Sequence, residues 1–317
     1  MPKPKLLLLT GFGWAATSPL FRTLRDNAKV IFPGCGKEPD TLYWIYDRNR
    51  DPSFFDRVLN VKYKDLWSRD PKFRYTRPET LFLFDVTLDD FIDYYTRLYD
   101  NKDRGSRQYV CDFSNRNASL SSEFIAKIAP ALKDNFDVKV MMIARNPVRR
   151  SYSFTSAMYR TQPTERSGIN KLWDNKDLES RNKWQERTKG FPDSISYWKH
   201  LVQKDHSNLA RFSYIEVYKK WAAHFPMLPI VMEDLWSGNV EPLENFLECK
   251  IGAENLYPNC YYPERGTKAE PRIKQLKDQW MSDMQDLTEE DLAFGKQHLQ
   301  YVYDEWYDEF KTRPWES

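Results

Sequence analysis

Short apolar runs alternate with helical patterns along this chain, and that alternation constrains the fold more than any other feature. It calls for an α/β protein with a central parallel sheet flanked by helices on both faces. The runs read as strands are Lys5–Thr10, Val30–Phe32, Tyr109–Phe113, Val138–Ala144 and Pro229–Met232. Between them, Thr87–Tyr99 places Leu88, Phe91, Ile92, Tyr95, Leu98 and Tyr99 at helical spacing behind a capping threonine. Phe124, Ile125, Ile128 and Leu132 form a second such stripe. Near the end, Thr288–Phe310 opens on "TEED", a capping-box-like start, and carries Leu292, Leu299, Val302, Trp306 and Phe310 on one side. This long terminal helix is expected to pack against the sheet.

The 317 residues fit one large α/β domain with insertions, and no linker rich in Pro, Gly or Ser divides them, so a single domain over residues 1–317 is expected. The stretch from Thr161 to Gly190 is highly charged and has no sustained apolar period. It reads as a long mobile loop with a short helix, and two roles stay open for it: a lid or binding element, or a solvated insertion. With 48 basic against 46 acidic residues the net charge is +2, which argues for a small partner held at one site rather than nucleic acid in bulk. No apolar run reaches the roughly 20 residues of a membrane helix, and the start lacks a signal peptide's pattern. Cys35, Cys111, Cys249 and Cys260 have no histidine at a zinc-ligand spacing. The expectation is a cytoplasmic, reduced, metal-free protein, in which Cys249 and Cys260 are close enough to pair if oxidised.

Three segments can hold a charged nucleotide. In "LLLLTGFGWAATSPL" the leucine run ends in Gly11, Phe12, Gly13, Trp14, Ala15 and Ala16, followed by Thr17, Ser18 and Pro19. Small residues let a ligand approach the backbone, Pro19 suits a first helical position, and the N–H groups of a helix start favour an anion. The loop is neither a Walker A motif nor G-x-G-x-x-G, so a plain strand-to-helix turn stands beside the phosphate site as an alternative. In "VKVMMIARNPVRRSYSFTSAMYR" an apolar strand ends at Arg145 and a helix follows, with Arg149, Arg150, Ser151 and Ser153 on it. The carboxyl end of a parallel strand is where ligands bind, and an arginine fork with a hydroxyl suits a phosphate dianion. In "YYPERGTKAEPRI" a glycine sits in a basic loop.

The strand followed by "RNPVRRSYS" resembles the 3′-phosphate-binding segment of sulfotransferases that use 3′-phosphoadenosine 5′-phosphosulfate (PAPS), in particular the branch that includes heparan-type and related bacterial enzymes. Arg145 and Ser153 are eight residues apart, as that pattern requires. The opening stretch falls where the family has its 5′-phosphosulfate loop. "SYIEVYKKWAAHFPMLPIVMEDL" is similar to its helix, strand and E-D-L segment, and "LENFLECKIG" to the small helix after it. The resemblance implies the P-loop-like sulfotransferase fold, PAPS as donor, its product PAP (3′-phosphoadenosine 5′-phosphate), and no metal. It implies that Gly13 to Ser18 cradle the 5′-phosphosulfate, and that Arg265, Gly266, Thr267 and Lys268 close over the phosphates.

In the heparan-type branch the base is a glutamate in a Lys-Glu pair after the first helix, and Lys37 and Glu38 stand at the matching place. An exposed Lys-Glu pair in a turn is the alternative. The family's loop lysine is replaced by Trp14, with Ala15 and Ala16 where Ser or Gly and Gly are usual, so Lys37 is the implied source of the missing charge. Asp112 and Ser114 lie where the family has a segment close to the acceptor. His200, His206, His224 and His298 belong to no motif and read as structural or exposed. The acceptor is expected to be a small molecule or a carbohydrate. A nucleotide-binding protein of the same fold without catalysis, and a small-molecule P-loop kinase, are the rival functions.

Overall fold

Leu6, Leu7, Leu8 and Leu9 are all wholly buried, so the strand they form has protein on both faces and belongs at the centre of a sheet. That strand is β1 (Lys5–Gly11) in the computed structural model of the protein, which describes residues 2–13, 15, 17–27, 30–32, 41–50, 87–101, 104–160, 188, 190–204, 212–256 and 287–315. The other strands are β2 (Ile31–Phe32), β3 (Tyr109–Phe113), β4 (Asp137–Ala144) and β5 (Met227–Val231). All pairings are parallel, in the order β2-β3-β1-β4-β5. β5 begins two residues before the expected start, because Pro229 lies inside it rather than at its head. A proline cannot donate to a ladder, and β5 tolerates one as the sheet's edge.

The chain divides into two compact units, Met1–Arg145 with Tyr214–Cys260, and Asn146–Ser213 with Tyr261–Ser317. The first contains the sheet. One face of it, carrying Leu7 and Leu9 of β1, is covered by α1 (Thr17–Asp26), α8 (Met232–Trp236) and α9 (Glu241–Leu247). Phe21 of α1 meets Phe113 of β3 with ring centroids 5.2 Å apart. On the other face α3 (Leu88–Asp100) packs against β3, α4 (Ser122–Asn135) against β4, and α7 (Tyr214–Ala222) against β1 and β4. The apolar stripes of α3 and α4 are the core faces that their periodicity implies, and Thr87 closes a capping box on α3. A further helix, α2 (Thr41–Arg50), precedes them in the chain.

The second unit contains α5 (Pro147–Arg160), α6 (Ser194–Lys204) and α10 (Glu289–Phe310). Val148, Tyr152, Trp198, Val202 and Leu299 form its core. Two side-chain hydrogen bonds tie α5 to α6: Trp198 Nε1 donates to Ser151 Oγ at 3.1 Å, and Tyr152 and Ser194 share a hydroxyl contact at 3.3 Å. The terminal helix α10 therefore finds apolar partners on α5 and α6 of its own unit, where the expectation named the sheet.

Candidate functional site

β1 ends on Gly11 at φ +134°, a conformation that favours glycine, with its neighbour strand so close that a Cβ would come 3.2 Å from the carbonyl oxygen of Ile143. The strand leaves the sheet through Phe12 and Gly13 and enters α1 at Thr17. Pro19 is thus the third helical residue rather than the first, still within the turn whose N–H groups have no helical partner. Thr17 and Ala15 are buried, and Gly13 and Ser18 are half-buried.

The connection after β1 runs to α1 on the Leu7/Leu9 face, whereas the one from β3 to β4 runs through α4, and the one from β4 to β5 returns through α7, on the opposite face. A strand whose exit diverges from those of its neighbours marks the switch point of an open α/β sheet, the usual place for a ligand. Gly11–Gly13 occupy it, with the ends of β3 and β4 on either side.

At the end of β4, Arg145 is half-buried, and its backbone is held by one side chain. The Tyr214 hydroxyl accepts from the Arg145 N–H at 3.1 Å and donates to the Arg145 carbonyl at 2.8 Å. Asn146 and Pro147 then start α5: Asn146 Oδ1 accepts from the Arg149 N–H at 3.1 Å, and Pro147 occupies the first helical position. Of the basic residues that follow, Arg149 is exposed, while Arg150 is buried with its guanidinium 4.2 Å from the Phe212 ring centroid. Ser151 is wholly buried against Trp198. Arg150 and Ser151 thus serve the packing of the second unit. Ser153, half-buried on the second turn of α5, also belongs to that unit, and Arg145 to the first.

At the end of β3, Asp112, Ser114 and Asn117 are all wholly buried. Ser114 Oγ donates to Asp112 Oδ1, and Asn117 Nδ2 donates to the Leu9 carbonyl at 3.0 Å. The Asn117 carbonyl in turn accepts from Trp221 Nε1 of α7 at 3.3 Å. The segment after β3 is thus tied to β1 by the Asn117 side chain and to α7 by the Asn117 carbonyl. Beyond β5, burial raises the carboxyl of Asp234 above its ordinary value. His200, His224 and His298 each lie beside a phenylalanine ring, at 4.7, 6.4 and 4.5 Å from Phe191, Phe225 and Phe294. Among the described residues no group of three or more His, Cys, Asp or Glu is arranged to hold a metal.

Trp14, Ala16, Lys37, Glu38, Arg265, Gly266, Thr267 and Lys268 lie outside the described residues, as do Cys35, Cys260, His206 and nearly all of 161–190. Tyr214 and Asn117 carry geometry that no motif announced. A buried tyrosine needs a partner for its hydroxyl, but nothing in sequence tells which.

No protein-family model and no curated protein matches the sequence. Among solved structures the chain is similar to a "Sulfotransferase Domain from the Curacin Biosynthetic Pathway", at 14% identity and a TM-score of 0.39, over 94% of this chain and 98% of that one. No described helix is long and apolar enough to cross a membrane.

Proposed function

We propose that the protein binds PAPS and transfers its sulfuryl group to a hydroxyl or amine of a small-molecule or carbohydrate acceptor. The observation that carries this is positional: Arg145, the first residue of the R-N-P pattern, directly follows the strand next to the one whose exit forms the switch point. The donor's chemistry suits what stands there. The 5′-phosphosulfate fits N–H groups of a helix's first turn with the Thr17 and Ser18 hydroxyls, and the 3′-phosphate fits the Arg145 guanidinium. Arg265, Gly266, Thr267 and Lys268 close over the phosphates in this reading.

In transfer, a bond forms between the acceptor oxygen or nitrogen and sulfur while the bond from sulfur to the 5′-phosphate oxygen breaks. The acceptor proton passes to Glu38, and PAP leaves. Negative charge collects on the sulfuryl oxygens and the leaving phosphate, where Lys37 and the N-terminal dipole of α1 oppose it. No metal is needed for these steps. Trp14 in the loop, where the family carries lysine, favours a second reading: a PAP-binding protein without turnover.

A thermal-shift assay tests the donor class. Adenosine 3′,5′-bisphosphate at a hundredfold excess over its Kd is expected to stabilise the fold by about 2.7 kcal/mol, seen as a rise of several degrees. ATP with Mg²⁺ is expected to do less. No shift with the bisphosphate, or a larger one with ATP and Mg²⁺, would overturn the proposal and in the second case restore the kinase.

A further inference from the structure

We infer that Tyr214 is a positioning residue for nucleotide binding, acting through the backbone of Arg145 and through Phe12. The inference rests on Arg145 being the ligand of the 3′-phosphate. One wholly buried hydroxyl spans the N–H and the carbonyl of the same residue, at 3.1 and 2.8 Å, so it holds both peptide planes that flank the Arg145 Cα. The direction in which a side chain leaves the backbone is set by those planes. A guanidinium meets a phosphate as a planar fork, and a rotation at its root carries the fork out of register.

The same tyrosine ring stands edge-on to Phe12, with centroids 5.7 Å apart and planes at 65°. Phe12 is the residue after Gly11, whose register partner on β4 is Ile143, two residues before Arg145. A single side chain therefore touches the exits of both neighbouring strands. A shift of the β1 exit is felt at Arg145, and ordering of Arg145 is felt at the β1 exit. Tyr214 comes from α7, far along the chain from both, and begins that helix. It makes no contact with ligand in this account, which separates it from the residues that do.

The test compares two ligands that differ only in the 3′-phosphate, adenosine 3′,5′-bisphosphate and adenosine 5′-phosphate, by calorimetry on the full chain. Tyr214→Phe keeps the ring against Phe12 and removes the hydroxyl. It is expected to raise Kd for the bisphosphate about tenfold, while Kd for the monophosphate stays within about twofold. In an Arg145→Ala background the same substitution is expected to change neither. Equal weakening of both ligands, no weakening of either, or a full effect on top of Arg145→Ala would overturn the positioning role. Wild-type protein that does not distinguish the two ligands would overturn the 3′-phosphate assignment itself, and the inference with it. Should Tyr214→Phe not fold, hydrogen exchange on the wild type decides. The Arg145 amide must be protected in the free protein and more strongly protected with the bisphosphate than with the monophosphate, and an unprotected amide would overturn the inference.

Discussion

Gly295 shows how far a single residue can depart from what its local sequence suggests. It stands in the middle of α10, where glycine costs a helix about 1 kcal/mol relative to alanine, so propensity alone recommends replacing it. Packing forbids that: a Cβ at this position would lie 2.6 Å from Val148 Cγ1 and 2.8 Å from Trp198 Cη2. The glycine is the notch that lets α10 cross α5 and α6. Overpacking a core costs roughly 1–3 kcal/mol, which outweighs the propensity gain over most of that range. Gly295→Ala is expected to lower the melting temperature, and Val148→Ala to restore part of the loss in the double variant. A melting temperature equal to or above the parent's would mean that the three helices can part without cost.

At the scale of elements, sequence placed the five strands and the helices that open at Thr87 and Thr288 within one or two residues, because their signals are local, but it did not anticipate α2 or α6. Alternation, 3.6-residue stripes and the Thr288 cap need no knowledge of partners. What a stripe cannot reveal is the surface it meets, and nothing in the α10 stripe names α5 and α6 as its partners. Its first turn holds another hidden partnership. Asp291 completes the capping box with Thr288, and its carboxylate also takes the Lys199 ammonium at 2.5 Å. Burial pulls the Asp291 carboxyl upward, but the bonds from Lys199, from the Thr288 hydroxyl and from the Thr288 N–H outweigh it, and the group lies below its ordinary 3.8. A carboxyl whose folded value is depressed stabilises the fold fully above its unfolded value and loses that contribution as pH falls through the folded one. Asp291→Asn is therefore expected to be less stable than the parent at pH 7, by denaturant unfolding, with the gap closing as pH drops below about 4. A gap that stays constant down to pH 2 would show that the carboxylate's charge contributes nothing there.

At the scale of the whole molecule, strand order sets two segments far apart in sequence, the β1 exit and the R-N-P segment, at neighbouring strand ends. Nothing in the residues of β1 or β4 says that they are neighbours, and the register of Gly11 with Ile143 is a tertiary fact. The R-N-P segment was legible because an arginine, a proline and a serine at fixed spacing encode a strand end, a helix start and a hydroxyl locally. Tyr214 was not, since its role depends on the two exits it touches. The catalytic half of the proposal depends on Glu38, and it is tested by separating binding from turnover. A carboxylate that takes the acceptor's proton contributes typically 10² to 10⁴ to the rate and little to nucleotide affinity. Glu38→Gln is accordingly expected to bind adenosine 3′,5′-bisphosphate as the parent does. Release of PAP from PAPS, measured against a panel of hydroxyl and amine acceptors, is expected to fall by at least about a hundredfold. Parental turnover in Glu38→Gln would remove the base from this position. A parent that binds the bisphosphate yet turns over none of the acceptors would favour the second reading, in which Trp14 has replaced the loop lysine of a protein that binds the nucleotide without transferring its sulfuryl group.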